Sequence, residues 1–188
     1  DPADGQAYTY SQFEVPDARR VYTTFEQPDL KSTFTLTVKA PKGWKVFSNA
    51  PTPTPEEEGE AWVYRFATTE VMSTYITAIV AGPYEGTTAT LASSDGRTID
   101  LGVYARASIV EHLDADEIIE ITRQGFEFFE GAYGIAYPFT KYDQIFVPEY
   151  NAGAMENAGC VTFRDAYVFR TRPTEAQMEA RANTILHE

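Results

Sequence analysis

The chain has 188 residues, 43% of them hydrophobic and 14% aromatic, which is enough apolar surface to build a packed core. Its 28 acidic side chains outweigh 15 basic ones for a formal charge of -13, a field that repels phosphate backbones and anionic lipid and argues against nucleic-acid or membrane-surface partners. The one cysteine, Cys160, rules out an internal disulfide and a Cys-rich zinc knuckle, and favours a reducing compartment, the cytoplasm. The opening residues Asp1-Pro2-Ala3-Asp4-Gly5 do not read as a secretory leader, and no apolar run is long enough to span a bilayer.

From Lys31 to Tyr104 the pattern is that of strands. Phe34, Leu36 and Val38 alternate with threonines over Thr33 to Lys39, and Trp62, Tyr64 and Phe66 repeat the period of two. Tyr75 to Val80 reads as a more deeply buried strand. Thr87 to Leu91 and Arg97 to Tyr104 flank Ser93-Ser94-Asp95-Gly96, a hairpin signal. The proline- and glutamate-rich stretch from Pro51 to Gly59 reads as an exposed loop. Asp17 to Arg20 reads as an ion-paired turn.

Near residues 104 to 108 the period changes to that of helices. Asp114, with Glu117 as capping-box partner, opens a helix carrying Ile118, Ile121, Phe128 and Phe129 and closing at Gly131. Short strands follow at Gln144 to Val147 and Cys160 to Arg164, the latter starting with a buried, inert Cys160. Thr174 and Gln177 form a second capping box, opening a helix whose buried stripe would be Met178, Ala182, Ile185 and Leu186. That helix reaches Glu188 with no closing glycine or proline, so its stripe is expected to want a partner. The fold class expected is a β-rich part, residues 1–105, followed by an α/β part, residues 106–188.

The segment Tyr150 to Gly159 has no strand or helix period; its glycines and small residues would let an extended ligand backbone approach closely. Within it, Gly153-Ala154-Met155-Glu156-Asn157 matches the GAMEN signature of the aminopeptidase N family of zinc peptidases, and Ile185-Leu186-His187-Glu188 resembles the opening of that family's HExxH helix, in the same order and spacing. Ser11 to Arg20 and Phe25 to Phe34 resemble the end of the family's N-terminal β domain, and Tyr133-Gly134 with Tyr137-Pro138-Phe139 also fits. The chain departs from the family at Thr24 to Pro28, where a Cys-Phe-Asp-Glu-Pro-like stretch is usual, and at Ala158, which replaces an aromatic residue.

The resemblance implies a saddle-like β sandwich, present here as its C-terminal part, and the start of a thermolysin-like catalytic domain. It implies an enzyme that hydrolyses the N-terminal peptide bond of peptides with a free N-terminus, by zinc-activated water. His187 would be a zinc ligand and Glu188 the general base. Glu156 and Glu14 would pair with the substrate ammonium, and Gln12 would lie near the first side-chain pocket. The backbone of Gly153 and Ala154, in the loop with Met155 and Asn157, would hold the substrate main chain. The second histidine of HExxH would follow Glu188, so the chain is expected to hold part of the zinc site and to be inactive alone. The alternative is a catalytically inactive scaffold acting in protein binding. Retention of Glu156 with His187-Glu188 argues against that, and alanine at position 154 argues against a third branch, which opens a lipid epoxide.

Overall fold

The computed structural model describes residues 1–188. In chain order its strands are β1 (Thr9–Tyr10), β2 (Thr37–Pro41), β3 (Lys45–Ser48), β4 (Glu56–Glu58), β5 (Ala61–Arg65), β6 (Ile79–Gly82), β7 (Tyr84–Ala92) and β8 (Thr98–Arg106). Helix α1 (Ala115–Tyr133) precedes β9 (Lys141–Val147), β10 (Ala154–Met155) and β11 (Cys160–Arg164), and α2 (Glu175–His187) ends the chain. Three sheets result: β1-β6-β3, β2-β5-β4, and a five-stranded sheet of order β10-β11-β9-β8-β7. The first two are antiparallel, whereas β9 runs parallel to both β8 and β11, the crossover from β8 to β9 being made by α1. No helix is long and apolar enough to cross a membrane.

Being central, β9 is buried on both faces, which is why Ile145-Phe146-Val147 reads as an unbroken apolar run. Phe146 joins Ile99, Leu101, Val103, Val161 and Phe163 under the two helices. Ile145 and Val147 face the other way, onto Phe47, Val80, Tyr84 and Met155. The side chains of one strand therefore tie the helical layer to the β-rich part.

The expected β-then-α/β order holds, and the hairpin, the Cys160–Arg164 strand, the Thr174–Gln177 capping box and the Arg20–Asp17 pair all form. Five expectations need correction. Residues 51–59 are exposed but not structureless: β4 pairs with β5, and its three glutamates meet Arg65, Lys42 and Lys39. Tyr75 to Val80 is not one strand. Thr74–Ile76 forms a 3-10 turn because the Thr77 hydroxyl donates back to Thr74 O at 2.6 Å and Asn49 takes both Ile76 O and Ala78 N, leaving the ladder to start at Ile79. Helix α1 passes Gly131 and closes at Gly134, whose φ of 64° suits the left-handed cap. Asp114 and Glu117 do not box that helix; both carboxylates turn to Arg181. In α2, Ile185 is buried in the main core, but Met178 and Leu186 are each 38% exposed, and the other buried residue is Arg181. Strand β8 runs across residue 105 and pairs with β9.

Glu130, near the end of α1, is buried and accepts from Ser93 Oγ at 2.7 Å, Ser94 N at 2.6 Å and Tyr137 N at 2.7 Å, pinning the helix to the β7–β8 turn. Burial works against its ionisation, yet these donors outweigh it and hold the carboxyl below its ordinary range. A depressed folded-state value stabilises the fold above the unfolded value and is lost as pH falls through the folded one. Glu130→Gln should therefore cost about 2 kcal/mol in urea unfolding at neutral pH, with the gap to wild type closing as pH falls below the ordinary glutamate range.

Candidate active site

Two distant stretches are stitched together at one end of the five-stranded sheet. The β1 segment is fixed to β6 by Ser11, whose N donates to Ile79 O and whose Oγ accepts from Ile79 N, both at 2.9 Å. The Tyr10 ring then meets Tyr150 edge-on at 5.4 Å, its hydroxyl donates to Glu149 O at 3.3 Å, and Gln12 Nε2 reaches Met155 Sδ at 3.6 Å. Glu14, two residues on, is thereby held on the side of the Tyr150–Gly159 loop, with its side chain exposed.

The loop is pinned from beneath. Asn49 Nδ2 donates to Ala158 O at 2.9 Å and to Ile76 O at 2.8 Å, while its Oδ1 accepts from Ala78 N at 2.9 Å. Gly159 has φ of 67°, and a Cβ there would lie 3.0 Å from Asn49 O and 3.1 Å from Lys141 O, so only glycine fits. Along Met155-Glu156-Asn157 the side chains alternate: Met155 and Asn157 point inward, fully buried, and Glu156 is exposed. Asn157 closes a turn through its own N to Met155 O and its carbonyl to Cys160 N, both at 2.9 Å. Gly153 and Ala154 are half-buried, and β10 pairs only with β11, so its second edge is free for an extended backbone.

Helix α2 delivers His187, exposed on its last turn, and Glu188, half-buried with Oε2 enclosed and unpaired. Burial first, and then the charges of Glu156 and Glu14, push the Glu188 carboxyl up to about 7. Glu156 and Glu14 also contribute, after burial, to raising the Tyr75 phenol; Tyr150 rises to about 12 through burial, with Glu188 and Glu14 adding. Glu14 and Glu156 therefore lie within electrostatic reach of both Glu188 and Tyr75, and Glu14 and Glu188 within reach of Tyr150. Beyond Glu188 runs an apolar groove of about 330 Å³ lined by Phe126, Phe129, Tyr142 and Leu186.

Of the residues singled out in the sequence, Gln12 and Glu14 lie against the loop that carries Gly153, Ala154 and Glu156, and both glutamates are within electrostatic reach of Glu188, which follows His187. Met155 and Asn157 support the loop from inside. Tyr75, Tyr150 and Asn49 were not singled out: an aromatic in an apolar run and an asparagine after a strand carry no local signal of a site. No group of three or more His, Cys, Asp or Glu side chains is arranged to hold a metal ion. Of a hydrolytic zinc's ligands the residues present fit one, the His187 nitrogen, and the unpaired Glu188 Oε2 retains acceptor capacity beside it.

Residues 3–76 match the peptidase M1 N-terminal domain, and residues 117–188 match the peptidase family M1 domain. The chain belongs to peptidase family M1. Aminopeptidase N of Streptomyces lividans is 58% identical over 188 residues, covering 100% of the chain and 21% of that protein. Probable aminopeptidase 1 of Saccharolobus solfataricus is 34% identical over 196 aligned residues, with 100% and 23% covered. Aminopeptidase N of Mus musculus is 30% identical over 184 residues, with 95% and 18% covered. The M1 chain thus spans about a fifth of the length of these relatives. In it, Asn49→Ala would strand Ala78 N and two carbonyls, so it should cost about 3 kcal/mol in urea unfolding and speed exchange of the Ala78 amide.

Proposed function

We propose that the protein carrying this segment is a zinc aminopeptidase that hydrolyses the N-terminal peptide bond of peptides with free N-termini. The observation that carries this reading is the docking of the segment that bears Glu14 against the loop that bears Glu156, through Tyr10 on Tyr150 and Glu149 and Gln12 on Met155, with both glutamates within electrostatic reach of Glu188 beside His187. A zinc ion bound through His187 and two ligands from outside the segment would lower the pKa of a bound water toward neutrality. Glu188 would act as the general base, its carboxylate taking a proton from the attacking water and returning it to the leaving amine. Glu156 and Glu14 pair with the substrate ammonium, which distinguishes a chain end from an internal peptide bond. The free edge of β10 at Gly153 and Ala154 receives the substrate main chain as an added strand. Gln12, held against Met155, borders the first side-chain pocket.

On the same reading, the β-rich part is the end of a saddle-like β domain, the α/β part opens a thermolysin-like catalytic domain, and the enzyme works in the cytoplasm on peptide substrates. The full-length protein should release amino acids from free peptides and spare their N-acetylated forms; equal rates on both would remove the ammonium anchor. Glu156→Ala should lower kcat/KM on free peptides about ten- to hundredfold, the loss of one charge-assisted hydrogen bond, with little change on a blocked substrate. Residues 1–188 alone should bind no stoichiometric zinc and cleave no leucine amide, and one tightly held zinc per chain would overturn this.

A further inference from the structure

A metal-ligand histidine is ordinarily oriented by a hydrogen bond to its other ring nitrogen. His187 makes no side-chain hydrogen bond or ion pair within this chain, and Glu188 is held only through its backbone N, which donates to Thr184 O at 3.2 Å. Within residues 1–188 the two are therefore placed by the helix that ends in them. The position of α2 decides where they stand.

That helix is seated in an unusual way. Its apolar stripe is thin, with Met178 and Leu186 partly in solvent and Ile185 the one buried aliphatic residue. Arg181, 1% exposed, is the largest fully buried side chain of the protein. Its Nη2 donates to Glu117 Oε2 at 2.6 Å and to Asp114 Oδ2 at 3.1 Å, both at the start of α1. Its Nη1 donates to Tyr167 O at 3.2 Å, beyond β11, and the guanidinium lies 4.6 Å from the centre of the Phe169 ring. An apolar contact tolerates sliding. A planar fork bonded on separate elements fixes both the axial and the rotational setting of the helix. Two neighbours reinforce it: Tyr167 OH shares a 3.0 Å hydrogen bond with Thr184 Oγ1, and Leu186 lies so near Gly125 that a Cβ there would come within 2.9 Å.

We propose that Arg181 is a positioning residue, a buried electrostatic anchor that sets the register of α2 and through it the placement of His187 and Glu188. The inference rests on the roles given above to those two residues. It also explains why a charged side chain occupies the core-facing side of this helix, where methionine would cover similar area without directional bonds.

The test uses the full-length protein with Arg181→Met and Arg181→Lys, assayed well below their unfolding midpoints. Zinc affinity is measured by chelator competition, and kcat and KM on a leucine amide at saturating zinc. Arg181→Met should weaken zinc binding and lower kcat each by about tenfold, with KM inside about twofold. Arg181→Lys should fall between, since a point charge cannot bridge the same partners. A folded Arg181→Met variant with zinc affinity and kcat near wild type would overturn the proposal and leave Arg181 a stability residue. Should Arg181→Met not fold, Asp114→Asn combined with Glu117→Gln removes the anchor from the half-exposed side and is judged by the same criterion. A wild-type protein that neither holds zinc nor cleaves the amide would instead sink the proposed function.

Discussion

The end of β3 is tied to the loop before β11 by a single amide side chain, and the assembly of the site depends on that tie. Asn49 bonds in three directions, to the backbone of Ile76 and Ala78 on one side and of Ala158 on the other. Lys141 reinforces the seam, donating to Ser48 O at 2.5 Å and to Asp143 at 2.6 Å. All the groups involved are largely buried, so each unmade bond would carry its full desolvation cost. Through this seam the sheet β1-β6-β3, which carries the Gln12–Glu14 segment, is set against the loop that carries Glu156.

Local rules made much of the fold legible. The β7–β8 hairpin, the strand at Cys160 and the start of α2 depend on residues within a few positions of each other, so period and capping residues sufficed. Errors arose where a distant group intervened. Asp114 and Glu117 have the spacing of a capping box, but Arg181, more than sixty residues away, claims both carboxylates. Tyr75 to Val80 has a strand's composition, but Asn49 takes the backbone groups a longer ladder would use. The change of period near residue 105 is real as a change from strand to helix; it does not part the sheet, because β9 returns to pair alongside β8.

The candidate site was legible through its short motifs and their spacing, which name Glu14, Glu156, His187 and Glu188 by residue type. Period could not show that Met155 and Asn157 point inward within their motif, because the loop has strand alternation for only three residues. Nor could it show the aromatic lining at Tyr75 and Tyr150, or the arginine beneath the helix. Those properties belong to packing between segments and leave no signature in either one.

The three carboxylates of the site come from positions 14, 156 and 188, so most of the chain must be folded before they meet. In the unfolded ensemble they are far apart and indifferent to one another, whereas in the native state burial, and after it the charges of Glu156 and Glu14, push the Glu188 carboxyl up to about 7. Their repulsion is therefore a burden on the folded state alone. A cationic ligand that paired with them in the folded form alone would relieve that burden, and its concentration would enter the folding equilibrium by mass action. Ammonium-bearing ligands of such a site would act as its folding partners as well as its guests.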